Sequence, residues 1–302
     1  MDALTHANYR TPENEAAFMS HSQYESWCDC PAKRWAIMRG LWKDGTSAAL
    51  LGSSYGDVAL LTPDDLPEWV AAHMEDLAEN GLVSKGRGKE KAGFGEPLAS
   101  LSSIMAAIDR AKATPQFMAL LEGEHQRIFE FEIGGVPWKG ALDNYQPDVF
   151  FSDLKIMADL SDMHWIEDKD GYDAILARIE NVPFTRKSFK GPWYEEMGYW
   201  RNMAVYWHAI RQNTGKSLPG YLCGLSKQGE PGGPKRADIG AWEMADEERF
   251  SRELQIIEMR LPRVLEWKHS ETEPPRCERT DCAYCVSTRT FRVQTARSER
   301  FF

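Results

Sequence analysis

The sequence contains no long apolar run and no excess of positive charge. No apolar stretch approaches the ~20 residues that cross a bilayer, and the first ten residues lack the charged-then-apolar order of a secretion signal. These absences predict a cytoplasmic protein. A formal charge of −10 over 302 residues also counts against a protein that coats nucleic acid through a broad basic surface. It does not count against an enzyme that clusters carboxylates around a cation.

Two common functional motifs are missing as well. The seven histidines form no helical pair at metal-ligand spacing. Thr214–Ser217 ends like a phosphate-binding loop, but Ile210 stands where that loop requires its first glycine. The sequence therefore gives no indication of an ATP site.

Cysteine is sparse, with six residues, and unevenly distributed. Cys277, Cys282 and Cys285 lie within nine positions near the end of the chain. In an intracellular chain, such clustering indicates metal binding more than disulfides. Three thiolates need a fourth to close a tetrahedral site or to hold a cubane cluster, and Cys30 is the best candidate, with Cys28 as a competitor. The sixth, Cys223, lies in an apolar strand and is predicted to be a small core residue.

Hydrophobic periodicity predicts an α+β fold, or a mixed α/β one. Apolar residues at three-to-four spacing predict helices over 20–40 (broken at Pro31), 65–82, 98–122, 193–211 and 245–265. β-forming residues predict strands over 126–133, 136–142, 149–156, 221–225 and 239–244. Gly134–Gly135 is the predicted hairpin turn, and the glycine- and lysine-rich stretch 84–96 is predicted to be a linker.

The predicted strands bring two carboxylates and an ammonium to one place. Asp153 and Lys155 are two positions apart in a strand and therefore point to the same face. Asp143 ends the preceding strand and can join them if the connection is a short turn. This combination suits phosphodiester hydrolysis, in which carboxylates hold a divalent cation such as Mg²⁺ and a lysine positions or helps to deprotonate the attacking water. The alternative is a surface strand that ends in Asp-x-Lys by chance.

The motif Gly135–Asp143, followed after nine residues by Asp153–Lys155, closely resembles the PD-(D/E)XK nuclease superfamily. The likeness is greatest to its RecE-like and RecB-like phage exonuclease branch, where a glycine turn, a Lys-Gly or Arg-Gly pair and a first aspartate precede an Asp-Leu-Lys strand. A second Pro-Asp pair, Pro147–Asp148, is disfavoured because the four residues between it and Asp153 are too few for the usual hairpin.

The resemblance assigns roles to individual residues. It implies that Asp143 and Asp153 bind Mg²⁺ or Mn²⁺, that the Leu154 carbonyl can be a third ligand, and that Lys155 is the catalytic lysine. Glu124 stands where related nucleases often have an acid and is assigned to the metal site, directly or through another ligand. The alternative for Glu124 is a solvated helix end.

Two further family elements can be sought along the chain. The family carries a helix with Tyr-x-x-Gln-x-x-x-Tyr, and this chain has Tyr199, Asn202 and Tyr206 at the same spacing. These three positions share a helical face, and the shorter amide of Asn202 can make the hydrogen bonds of the usual glutamine. The family's upstream Gly-x-x-x-His ligand is absent, because the comparable stretch 52–57 has no histidine and offers only Asp57.

The cysteine arrangement resembles AddB-type helicase-nucleases and the iron–sulfur nucleases of CRISPR adaptation. Those proteins have one cysteine before the nuclease core, often followed by proline, and three after it, as Cys30-Pro31 and the C-terminal cysteines do here. The resemblance implies a [4Fe–4S] cluster held by Cys30, Cys277, Cys282 and Cys285, with zinc as the alternative.

These observations predict a single nuclease domain over 1–302 with the PD-(D/E)XK fold, a central mixed sheet flanked by helices. Its expected parts are a helical N-terminal region (20–122), the core (123–245), and a C-terminal helix with the cysteine tail (246–302). The resemblance implies exonuclease action on double-stranded DNA ends in phage recombination or DNA repair, alongside a single-strand annealing protein, in the host cytoplasm if a phage encodes the chain. The alternative is a non-catalytic DNA-binding or assembly subunit that kept the fold and the metal cluster.

Overall fold

The computed structural model describes residues 3–87, 92–160, 163–166, 189–196, 198–226, 238–277 and 279–289. The chain forms two compact units. One consists of Met1–His21 and Gly45–Leu261, the other of Ser22–Asp44 and Pro262–Phe302. In the part of the chain that the structure describes, no helix combines the length and the apolar character needed to span a membrane.

The described helices cluster before and after the strand-rich middle of the chain. They are α1 (Pro12–Ala17), α2 (His21–Asp29), α3 (Pro31–Met38), α4 (Ala48–Leu61), α5 (Leu66–Glu79), α6 (Ala99–Lys112), α7 (Pro115–Ala119), α8 (Trp193–Glu196), α9 (Tyr199–Thr214), α10 (Glu247–His269) and α11 (Ala283–Ser287). A short 3-10 turn, Pro63–Asp65, precedes α5.

The described strands form one main sheet and two small hairpins. They are β1 (Val83–Arg87), β2 (Ala92–Pro97), β3 (Glu124–Ile133), β4 (Val136–Gln146), β5 (Phe150–Met157), β6 (Met163–Ile166), β7 (Phe189–Pro192), β8 (Gly220–Ser226) and β9 (Asp238–Met244). The main sheet has the order β3-β4-β5-β8-β9, while β1 pairs with β2 and β6 with β7.

The main sheet is mixed. Strands β5 and β8 are parallel, and every other neighbouring pair in it is antiparallel. Parallel neighbours need a long crossover connection, and here it contains α9. Helices flank this sheet, so the predicted α+β fold with a central mixed sheet is confirmed.

The β3–β4 hairpin forms where the sequence predicts it. Gly134 and Gly135 both have positive φ, 58° and 72°, which is the backbone conformation of a two-residue type I′ turn. This tight turn sets a regular register along the hairpin, from Ile133 opposite Val136 to Glu124 opposite Tyr145. Asp143 is thereby opposite Gln126.

Alternation along β5 separates a core face from a polar face. Leu154 belongs to the large apolar cluster formed with helices α4, α5 and α6, and Ile156 packs against it. A close approach fixes α4 against this strand, because a Cβ on Gly56 would lie 1.9 Å from Ile156 Cδ1. A Cβ there would force the Ile156 side chain to move, so glycine allows this close approach. Asp153 and Lys155 point to the opposite face, towards α9.

Three predicted elements differ from the structure. The helix predicted over 98–122 is divided into α6 and α7, with Ala113 and Thr114 between them. The stretch 84–96, predicted to be a linker, belongs in its described part to the β1–β2 hairpin, which glycines at positive φ allow to twist. The single helix predicted over 193–211 is interrupted at Gly198, whose φ of 67° ends α8 before α9 begins. Apolar periodicity alone could not detect this break, because the tryptophans on either side keep helical spacing.

Candidate active site

Asp143 and Asp153 lie where β4 and β5 separate. Backbone pairing between the two strands ends at Asn144 opposite Ser152. At the next position a side chain replaces the backbone acceptor: the Leu154 amide donates to Asp143 Oδ2 at 3.0 Å. The Asp143 side chain thus satisfies a backbone amide at the point where β4 and β5 separate.

Lys155 brings a positive charge into this opening. Its Nζ lies 2.5 Å from Asp153 Oδ2 and 3.9 Å from Asp143 Oδ2. The same ammonium donates to the Leu154 carbonyl at 3.1 Å and lies 5.6 Å from the centre of the Tyr199 ring. The three residues predicted from the motif therefore share one site, and the Leu154 carbonyl faces it.

A third carboxylate comes from helix α4. Burial, and to a lesser extent the Asp143 and Asp153 carboxylates, raise the pKa of Asp57 to about 7 against the lowering effect of Lys155. Asp57 therefore interacts electrostatically with Asp143, Asp153 and Lys155 of the two strands. The contact of Gly56 with Ile156 explains how a helical residue reaches them. The sequence offered Asp57 only as a weak substitute for the missing histidine.

The charged groups at this site shift one another's pKa. Burial also raises the pKa of Asp153 to about 7; Lys155 lowers it and Asp143 raises it. Although burial lowers the pKa of Lys155, the Asp153 and Asp143 carboxylates more than compensate and leave it raised. Asp153 and Asp143 face the Lys155 ammonium, and Asp57 interacts electrostatically with all three, an arrangement that favours a further positive charge.

Helix α9 closes the polar face. Asn202 Nδ2 donates to Asp153 Oδ1 at 3.4 Å, so the amide that replaces the family's glutamine does reach the carboxylate. The Tyr206 ring lies beside Gly140 of β4. Burial raises the pKa of Tyr206 well above its usual value, and the carboxylates of Asp153 and Asp143 add to the shift. Both predicted helix residues therefore lie next to the strand site.

In the described chain, Glu124 and Asp148 pair with basic residues outside this carboxylate group. Glu124 has Arg127 as its ion-pair partner in the described chain, with an Nη1–Oε2 distance of 3.2 Å and a side chain about half exposed. Asp148, the alternative that the sequence disfavoured, lies in the β4–β5 turn at φ 66° and pairs with Lys216 at 2.6 Å. In contrast, Gln126 Nε2 donates to Asp143 Oδ1 at 3.1 Å. The sequence analysis missed Gln126, although hairpin register could have placed it opposite Asp143.

Lys139, which opens the Lys-Gly-Ala-Leu-Asp motif, contacts the N-terminal segment instead of the carboxylate group. Its side chain is fully buried, and its ammonium lies 3.0 Å from Glu15 Oε1 and 4.5 Å from the centre of the Tyr9 ring. It also donates to the Tyr9 carbonyl. The backbone reinforces this attachment, since the Lys139 amide donates to the Met19 carbonyl at 2.8 Å.

This segment forms one wall of a cavity beside the carboxylate group. The cavity has a volume of about 370 Å³, and its lining includes Gln126, the donor to Asp143. The other lining residues are His6, Ala7, Tyr9, Arg10, Thr11 and Ala141. Arg10 supplies a positive charge to a space that lies next to the acidic group.

A separate group of four cysteines lies in the second unit. The sulfurs of Cys30, Cys277, Cys282 and Cys285 all lie within 4.8 Å of one another. Such a group is compatible with a metal site. The structure selects Cys30, not Cys28, as the fourth member of the group. Cys223 is fully buried in the main apolar cluster of the first unit, as predicted.

A mixed sheet with two aspartates and a lysine on separating strands defines a protein of the PD-(D/E)XK nuclease class. The family described as "PDDEXK-like domain of unknown function (DUF3799)" matches residues 20–181 and 176–288, and the chain belongs to this family.

A solved structure gives an independent comparison. A crystal structure of a protein from Eubacterium rectale, described as "Putative exonuclease", is similar over 98% of this chain and 97% of its own, with 27% sequence identity and a TM-score of 0.76. A comparison with curated proteins gives no match.

Proposed function

We propose that this protein is a metal-dependent deoxyribonuclease that hydrolyses phosphodiester bonds at DNA ends. The observation that carries the proposal is the group formed by Asp143, Asp153 and Lys155 at the separating strands, with Asp57 beside it. Membership of the PDDEXK-like family supports DNA as the substrate.

The residues at this site fit a hard divalent cation. Mg²⁺ and Mn²⁺ prefer carboxylate and carbonyl oxygens, which Asp57, Asp143, Asp153 and Leu154 supply. When bound, such an ion stabilises the charge that develops on the phosphoryl group and makes water a better nucleophile. Glu124 would have to release Arg127 before it could contribute to the same site.

The protein's own groups position the reactants. The Lys155 ammonium, held by Asp153, can orient a water molecule and offset negative charge on the scissile phosphate. Asn202 is a positioning residue, because its amide fixes one oxygen of Asp153. Tyr206 closes the site from the side of α9 and limits its access to bulk water, which strengthens the electrostatic interactions inside.

Action at DNA ends is supported by the description of the Eubacterium rectale protein as a putative exonuclease. The test compares linear duplex DNA with a covalently closed circle of the same sequence, each incubated with Mg²⁺ or Mn²⁺. We expect the linear DNA to shorten and the closed circle to stay intact. Cleavage of the circle would show an endonuclease. If neither DNA is cut, the alternative of a non-catalytic DNA-binding or assembly subunit replaces the proposal.

The biological setting follows from the RecE-like resemblance. We propose a role in phage recombination or DNA repair, with a single-strand annealing protein as partner. Such a partner requires a product with a single-stranded tail. Partial digestion followed by strand-specific hybridisation is expected to show that one strand survives. Equal loss of both strands would contradict the partnership.

Asp57 offers a test of the third carboxylate. We expect Asp57→Asn to lower the rate of DNA cleavage about 10- to 100-fold at limiting Mg²⁺, because changes among the groups around a metal typically weaken its binding by this amount. Higher Mg²⁺ should restore part of the rate.

The matched control is Asp64→Asn, which removes an exposed carboxylate from the 3-10 turn that follows the same helix. The rate of this variant should equal that of the wild type at every Mg²⁺ concentration. An Asp57→Asn protein that shows wild-type dependence on Mg²⁺ would remove Asp57 from the site.

A further inference from the structure

The four-cysteine group is built from three segments of the second unit. Cys30 immediately precedes α3, with Pro31 in the first turn of that helix. Cys277 lies in the segment after α10, while Cys282 caps α11 and Cys285 lies within it. Cys30, Cys282 and Cys285 are at most 5% exposed. Three of the four cysteines are therefore buried, and Cys277 is partly exposed.

The distances exclude a pair of disulfides in this arrangement. Cys285 Sγ is 3.6 Å from Cys30 Sγ and also 3.6 Å from Cys277 Sγ. A disulfide joins two sulfurs at ~2.05 Å, and one sulfur cannot bond to two partners. Equal spacing from one sulfur to two others is instead the geometry of ligands around a common centre.

The distances between the four sulfurs distinguish the two candidate cofactors, zinc and a [4Fe–4S] cluster. Four thiolates bound tetrahedrally to one zinc ion at ~2.3 Å lie roughly 3.8 Å apart. In a [4Fe–4S] cubane each thiolate binds a different iron at a corner of the cluster, so the thiolates are farther apart by the iron–iron separation. The observed 3.6 Å pairs, and the 4.8 Å limit on all pairs, match the one-ion geometry.

Backbone amides lie beside two of the four sulfurs. The Lys33 amide donates to Cys30 Sγ, and the Arg279 amide donates to Cys277 Sγ. Both donors follow their cysteine by two or three residues. Hydrogen bonds from backbone amides orient sulfur ligands towards a metal.

The apolar cluster around the cysteines is small. It consists of Cys30, Ala32, Ala36, Cys282, Tyr284 and Cys285, with Trp35, Trp42 and Cys277 packed against it. Regions with so little apolar burial commonly depend on a bound metal or a cross-link for stability. A closed four-thiolate site supplies that stability and takes no part in the chemistry at the carboxylates.

We infer that Cys30, Cys277, Cys282 and Cys285 bind a single tetrahedral zinc ion in a structural site, instead of the [4Fe–4S] cluster that the family resemblance implies. This inference is independent of the proposed nuclease activity, because its evidence and its test concern metal content alone.

The first experiment measures metal in the full-length chain purified without oxygen. We expect about one zinc per chain, no acid-labile sulfide and no visible absorbance. About four irons and four sulfides per chain, with a brown colour, would overturn the inference. Protein without bound metal would overturn it as well.

The second experiment tests the ligands. Cobalt exchanged into the wild-type site should give the intense visible bands of a tetrahedral four-thiolate complex. Cys282→Ser should lose at least nine-tenths of the zinc, whereas Cys28→Ser, two residues from a ligand but outside the group, should keep it. Zinc retained by Cys282→Ser would contradict the ligand set. If Cys282→Ser does not fold, the cobalt spectrum of the wild type still tests the inference. Bands of octahedral cobalt would exclude a tetrahedral four-thiolate site.

Discussion

We expect Lys155→Ala to lower the rate of DNA cleavage by about 10³-fold, because the positioning of a proton donor and the stabilisation of developing charge each contribute factors of 10² or more. The side chain is the ammonium between Asp153 and Asp143, and no second lysine or arginine shares these contacts in the described chain. The loss should appear in kcat measured with saturating linear DNA and Mg²⁺.

The matched control is Lys112→Ala, which removes an exposed lysine from the last turn of α6 and should leave kcat unchanged. Asp153→Asn should cause a similar loss, because it removes a carboxylate that the proposed metal ion requires. The double variant should lose little more than either single variant, since residues of one catalytic group act together. A Lys155→Ala protein with wild-type kcat would refute the assignment of this site.

Lys139→Met should cause the largest loss of stability. It keeps the length and apolar surface of the side chain but removes a fully buried ammonium from Glu15 and the Tyr9 carbonyl. Breaking such a pair by removing one partner typically costs several kcal/mol, and we expect the free energy of unfolding to fall by about 3 kcal/mol. Denaturant unfolding of the wild type and the variant measures this difference.

A companion variant separates the ion pair from the packing. Glu15→Gln keeps a hydrogen-bond acceptor for Lys139, and the Glu15 side chain is 24% exposed, so its loss should be smaller than that of Lys139→Met. A loss below about 1 kcal/mol for Lys139→Met would show that the N-terminal segment is not held by this contact.

Several features followed from local sequence. The two glycines of the β3–β4 turn predict a hairpin because both positions require positive φ, which glycine adopts without strain. The two-residue period of a strand places Asp153 and Lys155 on one face whatever surrounds them. Both inferences use short-range geometry, which the chain carries within a few residues. The fourth cysteine is different: three clustered thiolates leave one ligand missing, but the choice of Cys30 over Cys28 also used the family resemblance.

Other features depend on distant packing. Asp57 is nearly a hundred residues before Asp153, and its approach depends on Gly56 letting α4 lie against Ile156. The motif contains Lys139 four residues before Asp143, yet the Lys139 ammonium is bound by Glu15 of the N-terminal segment. Spacing along the chain cannot reveal either contact, because it does not specify which distant element covers a given face.

The sequence by itself therefore determined the strand motif and the fold class, since each rests on the geometry of neighbouring residues, and it offered Cys30 with Cys28 as a competitor. Three features came only from the tertiary structure. It shows that Asp57 interacts with the carboxylates of Asp143 and Asp153, and that Lys139 pairs with Glu15. It also gives the 3.6 Å sulfur separations that distinguish one zinc ion from a cubane. The physical reason is that distances between residues far apart in the chain are set by the packing of whole elements, which no local pattern encodes.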